Sequence, residues 1–173
     1  MSSSRRMQRY VLAPTIALGV LGAGGAALAA GSSARSTGPD YAYGSANPFA
    51  DASAAVHVVH TGAGGTHVTL NVWGVDAPAR QRFGAHVHQS PCGTSGAAAG
   101  AHYQHAGAAG SLEEREVWLD VTIDEDGNGR SKATRPWSLD EATPRSVIIH
   151  ALPTDGAGAA GPRLACIDLD GQG

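Results

Sequence analysis

The sequence predicts an all-β fold, an antiparallel β-sandwich, on three observations. Apolar and polar residues alternate in seven or eight short runs, as they do in strands that bury one face. Glycine-rich turns separate these runs, and glycine makes up 24 of the 173 residues. The runs lack a helical period, and many short strands without helices pack most simply as two antiparallel sheets.

The predicted strands follow one another between clear turn signals. They lie at residues 54–60, 67–75, 83–89, 116–123, 130–139, 146–152 and 163–169. The first two form a predicted hairpin around the glycine-rich turn 61–65. The strongest turn signal, DEDGNG at residues 124–129, separates the fourth strand from the fifth.

The N-terminus has the layout of a secretory signal peptide. Arg5, Arg6 and Arg9 precede an uncharged stretch that ends in Ala-Leu-Ala at residues 27–29. We therefore expect a signal peptide at residues 1–29 and a secreted or cell-envelope protein. A retained anchor is the alternative, because the uncharged stretch is just long enough to span a bilayer, although its glycines weaken insertion. The general and the twin-arginine export routes both stay open.

Residues 30–52 are rich in Ser, Gly, Ala and Pro and lack apolar periodicity, which predicts a disordered linker. The folded domain is expected over residues 53–171. The formal net charge is -3, so no basic surplus points to nucleic acid. After signal cleavage we expect no stable membrane partner. The oligomeric state stays open.

Four histidines form a candidate metal-binding set. His86 and His88 are two residues apart in a predicted strand, so both side chains leave the same face. His102 follows in a glycine-rich segment, and His150 ends the apolar run 147–149. Four imidazoles without a thiolate suit a copper centre that changes oxidation state. The other interpretation is that these are unconnected surface or core histidines.

Several motifs, in the same order along the chain, resemble those of the Cu/Zn superoxide dismutases. Residues 84–88 (GAHVH) resemble the strand that carries the first two copper ligands, and residues 100–103 (GAHY) resemble the segment of the bridging histidine. The acidic turn 124–127 (DEDG) is similar to the turn after the family's middle strand. Residues 147–150 (VIIH) and 161–166 (GPRLAC) resemble the family's last two motifs.

The resemblance covers roughly residues 53–169 and implies a single Greek-key β-sandwich or flattened barrel of immunoglobulin-like type. It implies dismutation of superoxide to oxygen and hydrogen peroxide by a copper enzyme. Arg163 would guide the anionic substrate, and His102 would also move a proton. The copper ligands that it implies are His86, His88, His102 and His150. The two cysteines, which predict one disulfide or two buried thiols, would by this resemblance be joined as Cys92–Cys166.

The zinc side of the motif set departs from the family. Only His105 follows His102 before the next strand, where a typical member has two further zinc histidines and an aspartate. These ligands are too few for a closed tetrahedral zinc site. The combination resembles the copper-only branch, in which a carboxylate holds the second nitrogen of the bridging histidine. Glu116 and Glu114 are the candidates, and solvated surface charge is the other interpretation.

The segment between His150 and Arg163 is short, so the family's long charged loop is mostly missing. This leaves a non-catalytic copper carrier on the same fold as the alternative function, although a carrier has no need of Arg163. A degenerate structural sandwich and a zinc hydrolase are further alternatives. The retained ligand positions argue against the first, and the lack of a committed general base argues against the second.

A few polar residues lie outside the motifs. Asp120 alternates with Leu119 and is expected to face solvent. Three histidines are expected at the surface, with a weak secondary metal site across the first hairpin as the alternative. They are His57, His60 and His67.

Overall fold

The structure is a computed structural model that describes residues 33–139 and 145–169. The predicted signal peptide, residues 1–29, lies outside the described residues. Within them, no helix is both long and apolar enough to cross a membrane. The described strands are β1 (Ser33–Gly38), β2 (Tyr41–Ala42), β3 (Ser53–His60), β4 (Thr66–Trp73), β5 (Arg82–Phe83), β6 (Ala85–His88), β7 (Val121–Thr122), β8 (Gly129–Arg135), β9 (Arg145–His150) and β10 (Arg163–Leu169).

Two four-stranded antiparallel sheets form the fold. The first has the order β1-β3-β4-β8 and the second the order β2-β10-β9-β6, while β5 and β7 form a separate short pair. The chain passes from β4 in the first sheet to β6 in the second, and then back to β8 in the first. These crossings between sheets give the Greek-key connections, and the predicted all-β sandwich is confirmed.

The core lies between the inner faces of the two sheets. In β4 the burial alternates residue by residue, with Val68, Leu70 and Val72 inside. The second sheet supplies fully buried residues such as Val147 and Ile149. Burying one such side chain contributes about 1.5–3 kcal/mol. In β4 the period-two pattern therefore predicts correctly which residues face the core, whereas every residue of β9 is buried.

The segment between residues 33 and 52 differs from the predicted disordered linker. Strand β1 pairs along its whole length with β3, and β2 pairs with β10. Phe49 is 1% exposed and its ring meets Phe83 edge-on with 5.0 Å between centroids. The composition of residues 30–52 does not reveal these strands, because an edge strand is held by backbone hydrogen bonds, which need no apolar repeat in the sequence.

The region predicted as a strand over residues 116–123 is more irregular than expected. A single helical turn, α1 (Leu112–Arg115), precedes it, and only β7 is a regular strand. The alternation still marks the buried side chains correctly. They are Val117, Leu119, Val121 and Ile123. Residues 117–119 bond to β6 only through single backbone hydrogen bonds, such as that from the Leu119 N–H to the Ala85 carbonyl. Regular strand pairing in this region is therefore confined to β7.

Replacing Phe49 with Ala should lower the free energy of unfolding by about 3–5 kcal/mol, because it removes a buried ring and leaves a cavity. Urea denaturation at neutral pH measures this loss. Tyr41→Ala is the matched control. Because Tyr41 is 36% exposed, this change should lower the free energy of unfolding by only about 1 kcal/mol. Equal small losses in both variants would show that this segment does not dock on the domain.

Candidate metal centre

The four histidines of the predicted set come together. One ring nitrogen from each of His86, His88, His102 and His150 lies within 4.8 Å of the others. Three of the side chains are buried, and His102 is half-buried at the edge of the cluster. The ring centroids of His86 and His102 are 4.0 Å apart.

Backbone pairing sets this convergence. Strand β6 lies beside β9, and all four of its residues are buried. His150 ends β9, and His102 forms an isolated bridge with His88 from the opposite side. Gly100, with φ of +71°, lets the chain turn back before His102, a conformation that residues with a Cβ rarely adopt.

Three of the rings use Nδ1 to bind the protein. His88 Nδ1 donates to the Gly100 carbonyl at 3.1 Å, and His150 Nδ1 donates to the Gly161 carbonyl at 3.0 Å. His102 Nδ1 lies 3.0 Å from a carboxylate oxygen of Glu116. Their Nε2 atoms are left for a shared partner, and those of His88 and His150 are 3.4 Å apart.

The fourth ring has the reverse arrangement. His86 Nε2 lies 2.8 Å from Thr154 Oγ1, while His86 Nδ1 is buried with no hydrogen-bond partner among the described residues. Leaving a buried polar atom unsatisfied costs about 1–3 kcal/mol. A metal ion bound by His86 Nδ1 and the three Nε2 atoms would satisfy it. The donor set therefore fits a metal held by imidazole alone.

Burial keeps three of the four imidazoles neutral, those of His86, His88 and His150. It lowers the pKa of His86 to about 2, with the neighbouring imidazoles adding to the shift. Burial likewise lowers the pKa of His88 to about 3 and the pKa of His150 to about 4, and the Arg163 guanidinium contributes to both. Neutral imidazole is the form that binds metals, so these three ligands need no deprotonation at neutral pH.

Of the two predicted carboxylates, the structure brings Glu116 to His102 and leaves Glu114 elsewhere. Glu116 is 2% exposed and also accepts hydrogen bonds from Trp118 Nε1 at 2.7 Å and Gln104 Nε2 at 2.9 Å. The Glu114 carboxylate instead accepts from the backbone and hydroxyl of Ser111 in the capping box of α1. The prediction for Glu114 is wrong because Ser111 and Glu114 have the S-x-x-E spacing of a capping box, a helix-start signal that was overlooked and that commits this carboxylate to α1.

The His105 ring lies outside the cluster. It stacks on Trp137 with 4.7 Å between ring centroids. In the described part of the chain, one further group of three potential ligands comes together, Asp40, Cys92 and Asp168, and Cys92 is already in a disulfide. No described residues therefore assemble a zinc site of histidines beside His102.

Arg163 and the disulfide lie beside the cluster. The predicted disulfide between Cys92 and Cys166 is confirmed. Arg163 begins β10 opposite His150, and its guanidinium donates to the carbonyls of Gly96 and Gly100. The Gly100 carbonyl is also the acceptor of His88 Nδ1. One loop carbonyl therefore links the cation to the histidine cluster.

Two polar residues near the cluster were missed by the sequence analysis. Asp120, expected to face solvent, has a side chain only 8% exposed and lies 3.2 Å from an Arg82 nitrogen. Its carboxylate accepts from the backbone N–H of Thr154 at 2.9 Å, and Thr154 contacts His86. The contact joins two segments far apart in sequence, so no local pattern could show it.

The three histidines outside the motifs take no part in the cluster. His57 and His67 are half-buried on β3 and β4, and His67 Nδ1 lies 2.9 Å from Thr134 Oγ1. His60, expected at the surface, is 9% exposed. It follows Val56 and Val58 on the inward side of β3, so the period-two pattern itself could have placed it inside.

Comparison with known proteins identifies the family. The family model described as copper/zinc superoxide dismutase (SODC) matches residues 52–167. The chain belongs to the copper/zinc superoxide dismutase family. Membership and the histidine cluster together indicate a metal-binding protein. A search of curated proteins gives no match.

Solved structures support the same fold. The crystal structure of the clock protein EA4 aligns with a TM-score of 0.56 and 19% identity, covering 79% of this chain and 93% of that chain. A SOD-like protein from Bacillus subtilis aligns with a TM-score of 0.55 and 15% identity, covering 71% of this chain and 93% of that chain. At these identities the likeness shows the superoxide dismutase fold alone.

The metal-free protein should lose stability as the pH falls from 7 to 5. The unfolded chain binds protons at its histidines near pH 6.5, whereas burial lowers the pKa of His86, His88 and His150 in the folded state to about 2, about 3 and about 4. Their contribution is therefore present above pH 6.5 and is lost as the pH falls. We expect a loss of at least about 2 kcal/mol, measured by urea denaturation.

The matched variants for this measurement are His86→Asn and His67→Gln. The first removes one buried titrating ring and should reduce the pH dependence, whereas the second removes a half-buried ring outside the cluster and should leave it unchanged. A stability that is the same at pH 7 and pH 5 would contradict the prediction.

Proposed function

We propose that this protein is a copper-dependent superoxide dismutase that acts outside the cytoplasm and works without zinc. Copper would be held by His86 Nδ1 and by Nε2 of His88, His102 and His150. The contact between His102 Nδ1 and Glu116, at 3.0 Å, carries the proposal. It occupies the ring nitrogen that the family resemblance assigns to zinc, so His102 is oriented without a second metal.

The protein's contribution is geometry, charge and protons. Bound copper would supply the one-electron chemistry that passes an electron from one superoxide to another. His102 is the half-buried histidine, so its Nε2, when it is not bound to the metal, is the ring nitrogen best placed to exchange a proton with an incoming substrate. Glu116 keeps the ring in place while it does so, because three donors fix the carboxylate.

Arg163 is assigned the attraction of superoxide. Its guanidinium is held by the carbonyls of Gly96 and Gly100, so its charge stays fixed beside His88 and His150. A fixed cation raises the local concentration of an anionic substrate. The two carbonyls also accept hydrogen bonds from guanidinium N–H groups that would otherwise have to bond to water.

The extracytoplasmic location rests on two observations. Residues 1–29 have the pattern of a signal peptide. The disulfide between Cys92 and Cys166 is of the kind that persists in oxidising compartments. Superoxide is the proposed small-molecule partner, with no nucleic acid and no stable membrane partner after cleavage.

A non-catalytic copper carrier on the same fold is the second candidate. The short segment between His150 and Arg163 favours it, because Asp155 is its one acidic residue. The Asp155 carboxylate accepts from the backbone of Ala157 and Ala159 in its own turn. It therefore closes a turn instead of shaping a charged approach to the metal.

The protein loaded with copper alone should dismutate superoxide with a rate constant approaching about 10⁹ M⁻¹s⁻¹, measured by pulse radiolysis with metal content determined on the same sample. Addition of zinc should leave the rate unchanged. His86→Ala should lose copper and activity together. Stoichiometric copper with negligible turnover would support the carrier, and a rate restored by zinc would overturn the copper-only mechanism.

Arg163→Glu should slow dismutation by about tenfold or more and reverse its dependence on ionic strength, because the substrate would meet a negative charge. Copper content should not change. Arg163→Lys should keep most of the rate, and Arg130→Glu, an exposed change on β8 in the other sheet, is the control for net charge. If Arg130→Glu slowed the reaction as much as Arg163→Glu, a specific guiding role for Arg163 would be excluded.

A further inference from the structure

The hydroxyl of Thr154 has only one proton, and the structure shows where it goes. Thr154 Oγ1 donates to Asp120 Oδ1, and Thr154 N–H donates to Asp120 Oδ2 at 2.9 Å. The Asp120 carboxylate thus holds both polar groups of this threonine. With its proton given to Asp120, Oγ1 can act toward His86 only as an acceptor.

This acceptor decides which nitrogen of His86 carries the proton. Nε2 lies 2.8 Å from Thr154 Oγ1, so Nε2 is the protonated nitrogen that donates. In a neutral imidazole the other nitrogen then has a free lone pair. That nitrogen, Nδ1, is the buried atom without a partner among the described residues, in a ring that has a nitrogen within 4.8 Å of a nitrogen of each of the other three rings.

We propose that Thr154, held by Asp120, is a positioning residue that fixes the ring of His86 with Nε2–H toward the loop and the Nδ1 lone pair toward the metal site. This inference rests on the metal site of the proposed function and goes beyond it. Thr154 does not touch the reacting atoms, so it acts through His86 alone. Asp120 orients the hydroxyl and does not itself reach the ring.

The other three histidines show why His86 needs a different device. Backbone carbonyls accept from Nδ1 of His88 and His150, and Glu116 accepts from Nδ1 of His102. A carbonyl can accept only. A threonine hydroxyl can accept or donate, and it accepts reliably from His86 only because Asp120 takes its proton.

Gly84 lets the loop that carries Thr154 lie against β6. A Cβ at this position would come within 2.9 Å of Thr154 Oγ1, within 2.8 Å of the Leu152 carbonyl oxygen and within 2.6 Å of Ala160 Cβ. A larger residue would therefore displace the segment that bears the hydroxyl. The close approach of loop and strand is what allows the short contact to His86.

The first test uses the metal-free protein and does not depend on copper. With ¹⁵N-labelled histidine at pH 7, long-range ¹H–¹⁵N spectra should show His86 protonated at Nε2 and the other three rings of the cluster protonated at Nδ1. In Thr154→Val the His86 Nε2–H should exchange with solvent about tenfold faster or more, because it has lost its acceptor. Thr154→Ser should restore the slow exchange.

The second test titrates copper(II) against a chelator of known affinity. Thr154→Val should bind copper about 10- to 100-fold more weakly than the unmodified protein, with a changed electron paramagnetic resonance spectrum. Thr154→Ser should bind within about threefold, which is under 1 kcal/mol. Thr134→Val is the matched control, because it removes an equivalent Thr–His contact, at His67, outside the cluster.

The outcomes separate the two proposals. Protonation of His86 at Nδ1 in the metal-free protein, or equal losses in Thr154→Ser and Thr154→Val, would overturn the role of the hydroxyl. Unchanged exchange and affinity in Thr154→Val would do the same. An unmodified protein that binds no copper would refute the proposed function, and the exchange measurement would still decide the role of Thr154.

Discussion

The constraint on which the site depends is the convergence of four imidazole rings on one point, three of them buried and one half-buried. Each ring has two nitrogens, and one nitrogen of each ring contacts a partner within the protein, as buried polar groups require. The partners are two loop carbonyls, the Glu116 carboxylate and the Thr154 hydroxyl. The loops around the metal centre are therefore ordered by the same hydrogen bonds that orient its donors.

The loop that ends at Gly100 connects three parts of the molecule. Its carbonyls hold Arg163, its last carbonyl also holds His88, and Cys92 ties it to β10 through the disulfide. The N-terminal segment adds further support, because the Tyr43 hydroxyl donates to the Gly93 carbonyl. Arg163, the cation proposed to attract the substrate, and the metal centre are thus held by the same loop, and a change in this loop would disturb both.

The nitrogen of His102 that the family resemblance assigns to zinc is bound here by a side chain of the protein, Glu116. Glu116 is buried and accepts from His102, Gln104 and Trp118, so this charge is compensated by three donors. His105 packs on Trp137 and supports the fold. A buried carboxylate with satisfied oxygens can orient His102 as a second cation would, and for this reason the proposed chemistry is assigned to a single metal.

The sequence by itself determined the sandwich, the inward face of each main strand and the four histidines, because period-two alternation and short motifs are local properties. It also pointed to Glu116 and to the cysteine pair. Only the tertiary structure decided that Glu116 and not Glu114 meets His102, that Asp120 turns inward to Thr154, and that Phe49 joins the core. These contacts join distant segments, and their energy comes from side-chain geometry that no local pattern records.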